Sequence, residues 1–291
     1  MVNGMSINIR PVNEKDLPAC GRIIFDAFVG IADRHNFPRD FASPDQSMGM
    51  TGALLHNPKW FGVVAESEGK VVGSNFVDKR DAIRGVGPIT VDPAFQQRGV
   101  GRRLMEAILD HSRDAVGVRL VQDAFNTTSF SLYTSLGFDV KEPLVLMRGK
   151  PKGRVSGTGR VRPMAEADIP ACGDLGRRVH GFERTGALRD DLAHGRPFVL
   201  ERGGHIVAYA SNPVFWIMNH GVAETDADMF EQLLGVGAAV PQPIEMLVPS
   251  RRSALLRWCL GQGLRVVKPC TLMAIGEYRE PQGAFYPSVI Y

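Results

Sequence analysis

Residues 88–103 read PITVDPAFQQRGVGRR, and this stretch determines how the rest of the chain is interpreted. It opens with a short apolar, β-branched run that ends at Asp92-Pro93, which is typical of a strand. After it, residues 104–115 place apolar side chains on one side at helical spacing, and Gly117 stands where such a helix would end. The sequence therefore predicts a strand, a glycine-bearing loop and a helix in direct succession.

The loop between this strand and this helix has the chemistry of a pyrophosphate site. The first-turn N–H groups of a helix lack intrahelical partners and carry the positive end of its dipole. Gly99 and Gly101 would let a ligand approach the bare backbone, and Arg98, Arg102 and Arg103 add positive charge. Helix N-termini of this kind bind anions such as phosphate groups.

Three interpretations of the loop are open. The first is a tight turn whose glycines only permit the backbone geometry. The second is a dinucleotide-binding turn, which would need a third glycine where Leu104 stands; a Walker loop is excluded because no Gly-Lys-Ser/Thr follows. In the third, Gln96-x-x-Gly99-x-Gly101 resembles the signature Gln/Arg-x-x-Gly-x-Gly/Ala of the GNAT superfamily of acyl-CoA-dependent N-acetyltransferases.

The resemblance extends downstream of the loop. Residues 118–124 have the pattern of a strand, and residues 126–138, NTTSFSLYTSLGF, are similar to the asparagine, short helix, tyrosine and Leu-Gly-Phe ending of the family. Two motifs in the same order and at the right separation are more specific than either motif alone. The upstream segments, a strand, a helix pair and the hairpin 60–76, also follow the order of elements in the GNAT fold.

Composition limits the class of protein. The 291 residues suit two domains, and a formal net charge of +3 indicates neither nucleic-acid nor membrane binding. No apolar run is long enough to span a bilayer, and the N-terminus lacks a signal pattern. The four cysteines are scattered, so we expect reduced thiols in a cytoplasmic protein without a metal site. We expect a monomer or a homodimer.

The sequence begins again after its midpoint. Residues 9–21 match residues 161–173 without a gap, and the hairpin turn Glu66–Gly69 corresponds to Glu201–Gly204. We therefore predict an α/β fold of two tandem GNAT-like domains, each with a mostly antiparallel mixed sheet flanked by helices. The predicted parts are a catalytic domain at 1–149, a linker at 150–159 and a degenerate domain at 160–291.

The second half is interpreted as degenerate because it lacks the glycine loop. After a strand predicted at 215–218, the corresponding helix start brings Glu224, Asp226 and Asp228 together. Carboxylates suit a helix N-terminus but would repel a pyrophosphate there. We expect one acetyl-CoA per chain, in the first half.

The resemblance implies roles for individual residues. Tyr133 matches the family's acid, which protonates the departing sulfur, although a tyrosine that only closes the core stays open. A backbone N–H of Thr90 or Val91 would polarise the thioester, and Asn126 would bond the pantetheine arm or merely cap the following helix. The residues expected to hold acetyl-CoA are Ile89, Thr90, Val91, Gln96, Gln97, Arg98, Gly99, Val100, Gly101, Arg102, Arg103, Asn126, Ser129 and Tyr133.

The general base is not evident. Many relatives carry a glutamate near the central strand, but residues 84–88, RGVGP, contain no acid. Asp78, Asp81 and His35 are candidates by residue type and expected location, and a water chain or a neutral amine is left open. The acceptor would be an amine-bearing small molecule or peptide. The alternative from another class is a non-catalytic acyl-CoA sensor, which the missing glutamate favours.

Two further segments carry expectations. The first copy is longer than the second between its first helix and its hairpin, and most of the excess lies in Ile31–Leu55. We expect this segment, which includes His35 and Phe37, to line the acceptor groove rather than form an ordinary surface insertion. Cys20 recurs as Cys172, so we interpret it as a buried structural thiol rather than a nucleophile.

Overall fold

The computed structural model describes residues 6–153 and 157–290. The first half contains β1 (Ile7–Pro11), α1 (Leu17–His35), α2 (Pro44–His56), β2 (Trp60–Ser67), β3 (Lys70–Asp78), β4 (Ile83–Val86), β5 (Thr90–Val91), α3 (Val100–His111), β6 (Gly117–Asp123), α4 (Thr127–Ser135) and β7 (Asp139–Gly149). The second half contains β8 (Arg160–Pro163), α5 (Ile169–His180), α6 (Thr185–His194), β9 (Phe198–Arg202), β10 (His205–Ala210), β11 (Gly221–Ala223), α7 (Asp226–Ala239), β12 (Ile244–Pro249), α8 (Ser253–Gly261), β13 (Arg265–Gly276) and β14 (Ala284–Tyr286).

The duplication is visible in a charged clamp at the start of each half. The Arg10 guanidinium donates to both oxygens of Asp16 at 2.7 and 2.9 Å, and its Nε donates to Glu66 at 2.9 Å. Bidentate pairs of this kind fix geometry as well as charge. The same contacts, at the same distances, join Arg162, Asp168 and Glu201. In both halves, the same ion pairs therefore join the first strand to the start of the first helix and to the hairpin.

The strands form two sheets. The larger sheet has the order β1-β2-β3-β4-β6-β13-β7-β12, with β5 paired to β3, and the smaller has the order β14-β11-β10-β9-β8. Within the described residues only the pair β4–β6 is parallel. Helices flank both sheets, so the predicted fold class of mostly antiparallel, mixed sheets with helices is confirmed.

Strands of the second half complete the sheet of the first. β13 lies between β6 and β7, where Cys270 is opposite Asp123 on one side and Leu144 on the other. β7 in turn lies between β13 and β12, so both of its neighbours come from the second half. The two halves thus share one continuous sheet, and the boundaries at 149 and 160 stay a prediction.

Two segments have structures that the sequence patterns did not predict. The segment before β5 contains the short strand β4. The two strands are separate because Pro88, which lies between them, has no N–H to donate to a neighbouring strand. The strand predicted at 215–218 is wrong. That segment turns instead, with the N–H of Phe215 donating to the carbonyl of Asn212, since Asn212-Pro213 favours a turn. The strand follows as β11.

α3 packs closely against the larger sheet, beside β5 and the glycine loop. Leu104, Met105 and Ile108 lie fully buried on its inner face. Gly73 on β3 permits this packing, because a Cβ there would stand 2.8 Å from the carbonyl oxygen of Thr90 and 3.1 Å from the Leu104 side chain. The start of α3 and the strand β5 are therefore held at fixed positions beside each other.

Expressed alone, residues 1–149 should fail to unfold cooperatively, because β7 would lose both neighbouring strands and β6 would lose one. Such open edges also promote aggregation. Urea unfolding followed by circular dichroism, together with gel filtration, checks this. Co-expression of residues 150–291 should restore a soluble complex. A monomeric 1–149 fragment with a cooperative transition would contradict the account.

Candidate functional site

A groove of about 450 Å³ runs past the start of α3. One wall is the strand–loop–helix unit together with α4, and the other wall is α1, through residues such as Phe28 and Arg34. Most of the residues predicted to hold acetyl-CoA line it. They are Ile89, Thr90, Val91, Gln96, Gln97, Gly99, Gly101, Arg102, Asn126, Ser129 and Tyr133. The wall from α1 was missed, because its residues read from sequence only as part of an amphipathic helix.

The loop is shaped by its backbone. Gly99 caps α3 in the left-handed region at φ 79°, which a residue with a side chain rarely adopts. The Gln96 amide ties the loop to the strand by donating to the carbonyl of Val91 at 3.2 Å. The start of α3 therefore lines the groove at Gly101. The first N–H groups of a helix have no partner within the helix.

β5 offers the groove a free backbone edge. On one side it pairs with β3, with Thr90 opposite Ser74. On its other side it has no strand partner within the described residues. An extended ligand can add to such an edge through main-chain hydrogen bonds. The groove thus combines a strand edge with an anion site at one end, which fits an acyl-CoA.

The second half has neither feature. β11 pairs with β10 in the corresponding register, with Ala223 opposite Ala208, but its other edge is paired with β14. Only Glu224 and Thr225 separate β11 from α7, and the Thr225 hydroxyl caps that helix by accepting from the N–H of Asp228 at 3.1 Å. The glycine loop is therefore missing, and the strand edge is occupied by the chain itself.

Three predicted cofactor residues point elsewhere. Val100 is buried in the core, and the Arg103 guanidinium donates to the carbonyl of Ile7 at 2.6 Å. The Arg98 guanidinium lies 5.7 Å from the centre of the Phe95 ring. Their side chains are not part of the groove lining, although their backbone N–H groups belong to the loop. Their assignment as cofactor residues stays a prediction.

Tyr133 stands where the groove meets a second, inner cavity of about 160 Å³. It is buried, with its ring edge-on to Phe138 at 6.1 Å. Burial raises its pKa well above the usual range, so the phenol keeps its proton. Asn126 caps α4, its side-chain oxygen accepting from the N–H of Ser129 at 3.2 Å, and it also lines both cavities. Capping is thus established, whereas a role toward pantetheine stays a prediction.

The inner cavity is built by both halves of the chain. The first half contributes Asp40 and Phe41 from the connection between α1 and α2, inside the segment expected to line an acceptor groove. The second half and the C-terminal segment contribute Trp216, Ile217, Lys268, Cys270, Val289 and Ile290. His35 and Phe37 do not line it but pack against Phe125, at ring distances of 5.3 and 4.3 Å.

A charged cluster around the buried Lys268 forms one side of this cavity. The Lys268 ammonium lies 2.8 Å from both oxygens of Asp40 and 2.8 Å from one oxygen of Asp123. It also lies 4.8 Å from the centre of the Trp216 ring. We name Asp40, Asp123 and Lys268 the acidic cluster, because two carboxylates share one ammonium.

Burial and charge shift the pKa values within the acidic cluster. Burial raises the pKa of Asp40, and the Lys268 ammonium offsets this only in part. Burial lowers the pKa of Lys268, but the two carboxylates outweigh that effect, so its pKa is raised overall. Burial also raises the pKa of the neighbouring Cys270 thiol. The lysine therefore stays charged, the thiol stays protonated, and Asp40 takes up a proton more readily than an ordinary aspartate.

The bases expected from sequence lie outside both cavities. Asp78 is locked in a buried bidentate pair with Arg80, at 2.6 to 2.9 Å. Asp81 caps α6 by accepting from the N–H groups of Gly186 and Ala187 at 2.7 and 3.0 Å. His35 lies on the protein surface beside Phe125. A catalytic role for Asp78 or His35 stays an untested prediction, and the geometry favours the acidic cluster.

The two repeated thiols are buried, as expected. Cys20 and Cys172 are completely buried, and burial raises the pKa of each thiol to about 12. Within the part of the chain that the structure describes, no group of three or more His, Cys, Asp or Glu residues is placed to hold a metal ion. Over the same residues, no helix combines the length and apolar character that crossing a membrane requires.

Comparison with known proteins gives the site a context. Residues 58–140 match the family model of the acetyltransferase (GNAT) domain. A segment of 53 residues is 45% identical to [ribosomal protein bS18]-alanine N-acetyltransferase of Salmonella typhimurium, covering 18% of this chain and 36% of that enzyme. The chain spans between a quarter and about a third of the length of the curated relatives that it matches.

Solved structures extend the similarity to nearly the whole chain. An acetyltransferase candidate from Pyrococcus horikoshii superposes with a TM-score of 0.76 at 18% identity, covering 100% of this chain and 96% of that one. A tandem GNAT protein from the clavulanic acid biosynthesis pathway gives 0.57 at 12% identity, covering 93% and 98%. At these identities the likeness shows the fold, a tandem arrangement of two GNAT folds. The family match identifies an acetyltransferase (GNAT) domain within it at residues 58–140.

Proposed function

We propose that the chain transfers an acetyl group from acetyl-CoA to an amine. The observation that carries this proposal is the meeting of two cavities at Tyr133: a groove with a free strand edge and an anion site, and an inner cavity that ends at the carboxylates of the acidic cluster. The curated relative from Salmonella is named for N-acetylation of a protein alanine, which supports the same reaction class. The acceptor of this chain is a separate question.

Acetyl-CoA would bind along the groove. The backbone N–H groups of residues 98–102 would hold the pyrophosphate, and the free edge of β5 would bond the amides of the pantetheine arm. The N–H of Thr90 or Val91 would then polarise the thioester carbonyl. The acetyl group would then lie near Tyr133, at the mouth of the inner cavity.

We propose direct transfer in a ternary complex. The neutral amine nitrogen bonds to the thioester carbon, the carbon–sulfur bond breaks, and Tyr133 gives its proton to the departing sulfur. The nitrogen then gives up its remaining extra proton as the amide forms, and this proton restores the Tyr133 phenol. Tyr133 carries its proton before the transfer, because burial raises the pKa of its phenol. A covalent route through Cys270 is disfavoured, since its raised pKa keeps it a thiol.

Asp40 takes the proton of the incoming ammonium in this proposal. It lines the inner cavity, and burial brings its pKa closer to neutral pH, where a base is most effective. Lys268 holds the carboxylate in place at 2.8 Å. Asp78 and His35 have no place in this step, because neither lines the cavity.

A non-catalytic acyl-CoA sensor remains the second candidate. The observation that favours it is the Lys268 ammonium, which already satisfies both carboxylates and would weaken either one as a base. Thiol release from acetyl-CoA, measured over a panel of amines, separates the two functions. Release that depends on an amine supports the enzyme, and binding of acetyl-CoA without release with any amine supports the sensor.

Gly101→Glu should abolish acetyl-CoA binding, because a carboxylate would enter the anion site at the start of α3. Isothermal titration calorimetry with acetyl-CoA should give one site per wild-type chain and none for this variant. Ala227→Glu, at the exposed second residue of α7 in the other half, is the matched control and should still bind once. Two sites per chain would overturn the assignment.

Tyr133→Phe should keep the affinity for acetyl-CoA but slow turnover by about a hundredfold, the usual contribution of one general acid. The phenyl ring preserves the contact with Phe138, so stability should change little. Steady-state kinetics and calorimetry on the same preparation check this. An unchanged kcat would return Tyr133 to a packing role.

Asp40→Asn should lower kcat/KM by about a hundredfold and remove a pH dependence that wild type shows. A base works only when deprotonated, so wild-type kcat/KM should fall as the pH falls through the raised pKa of Asp40. Lys268, Asp123, Cys270 and Arg148 are the charged or titratable groups that act on this carboxyl. Asp45→Asn, at an exposed position at the start of α2, is the control. An Asp40→Asn variant that retains the acidic limb of the wild-type profile would exclude this base.

A further inference from the structure

We infer that the acceptor is a short apolar amine without a carboxylate, and that Ile217 and Val289 limit its length. The inference rests on the proposed function, because it names the acceptor class of the same site. Three properties of the inner cavity support it: its volume, its charge and the way in which part of its wall is held in place.

The inner cavity is small and mainly apolar. Its volume is about 160 Å³, and an apolar cavity of about this size holds a molecule such as benzene, with about six non-hydrogen atoms. Asn126 and Ser129 lie where it meets the outer groove, and the acidic cluster forms one side. The rest of the lining is largely aliphatic and aromatic, and it includes Phe28, Ile31, Phe41, Met50, Leu120 and Trp216. The cavity therefore suits a short apolar chain.

The acidic cluster restricts the charge of the acceptor. With its three members ionised, two carboxylates and one ammonium leave one net negative charge. The three N–H groups of Lys268 have three carboxylate oxygens at 2.8 Å, so none is left for a ligand carboxylate. Arg148, which also acts on Asp40, is paired with Glu245 at 2.6 Å. The cluster therefore attracts an ammonium group and repels a carboxylate.

An ammonium group at the acidic cluster is also close to the proposed reaction. Burial and, to a smaller extent, the charge of Asp123 raise the pKa of the Tyr133 phenol, so the cluster and the phenol interact. The amine nitrogen would lie between Asp40 and the acetyl group beside Tyr133, and its carbon chain would extend along the apolar wall.

Ile217 and Val289 belong to a part of the wall that is fixed in place. The N–H groups of Val289 and Ile290 donate to the carbonyl of Ile217 at 3.0 and 3.3 Å. The Arg184 guanidinium donates to the Ser288 hydroxyl and to the carbonyl of Ile290, both at 2.9 Å. Ile217 and Val289 themselves are only partly buried, and both line the cavity. Because these hydrogen bonds hold the backbone, a chain that is too long meets a wall that yields little.

A series of straight-chain amines from propylamine to octylamine tests the length limit. These amines have nearly the same basicity, so kcat/KM at saturating acetyl-CoA reports how well each chain fits. For wild type, kcat/KM should rise up to about five carbons, because each added methylene buries apolar surface, and then fall by about tenfold. Octylamine that reacts as efficiently as pentylamine would overturn the inference.

Val289→Ala shortens a side chain of the wall. It should raise kcat/KM for hexylamine relative to butylamine by about tenfold, the effect of one methylene in an apolar pocket. Val289→Ile enlarges the same side chain and should change this ratio in the opposite direction. Destabilisation alone does not produce opposite shifts from one position. An unchanged ratio in either variant would contradict the role of Val289.

Val12→Ala is the matched control. Val12 is also partly buried, but it lies outside the lining of the inner cavity. It packs against the same hydrophobic cluster as Val289, which is formed by Leu54, Trp60, Phe76 and Ile290. The loss of packing should be similar, whereas the preference for chain length should stay that of wild type. An equal shift in Val12→Ala and Val289→Ala would refute a local effect of the wall.

β-Alanine and 3-methylbutylamine test the charge. They have the same shape and similar basicity, but β-alanine has a carboxylate where 3-methylbutylamine has a branched methyl end. Burying a carboxylate without a cationic partner is unfavourable, so wild type should prefer 3-methylbutylamine by at least about a hundredfold in kcat/KM. Equal kcat/KM for the two amines would exclude the apolar acceptor class.

Calorimetry separates this inference from the proposed function. Each amine is titrated into wild type and into Val289→Ala, both saturated with free CoA, so that binding is measured without turnover. A limit on chain length that moves in Val289→Ala supports the inference even if no amine releases thiol from acetyl-CoA, which would refute only the proposed function. Affinities that do not depend on chain length, or no binding of any of these amines, refute the inference.

Discussion

The site depends on the insertion of β13 between β6 and β7. This insertion brings Lys268 from the second half beside Asp123 at the end of β6, and the Lys268 ammonium then holds Asp40 from the connection between the first two helices. Without β13, two carboxylates would face each other in a buried space with no cation between them, which is unfavourable. One backbone arrangement therefore joins the halves and also builds the inner cavity.

The two halves kept the same frame and diverged at the site. The clamp made by Arg10 recurs with the same distances around Arg162, so the frame is common to both. The second half lacks the glycine loop, and one of its strand edges is also different. In the first half the edge of β5 faces the groove, whereas in the second half the equivalent edge of β11 is paired with β14. An unpaired strand edge promotes aggregation unless a ligand or another strand covers it. In the second half, the edge of β11 beside the acidic residues is covered by β14.

Local signals in the sequence predicted the local parts of this structure. The glycine loop, the strand before it and the helix that contains Tyr133 each depend on neighbours in sequence, and they lie as predicted. Asp40 stood inside a segment already expected to line an acceptor groove. Lys268 gave no signal, because its place follows from a strand exchange between distant segments. The strand predicted at 215–218 failed for a similar reason: its apolar residues, including Trp216, cover a cavity rather than form a ladder.

A crystal structure of the chain with acetyl-CoA and an unreactive acceptor analogue would show directly where the two ligands bind. We expect one acetyl-CoA per chain, with its pyrophosphate at the backbone of Gly99 and Gly101, its pantetheine arm along β5 and its thioester beside Tyr133. The analogue should lie in the inner cavity, between Asp40 and Trp216, with β14 still paired to β11. Acetyl-CoA bound in the second half, or an acceptor analogue bound outside the inner cavity, would contradict the account.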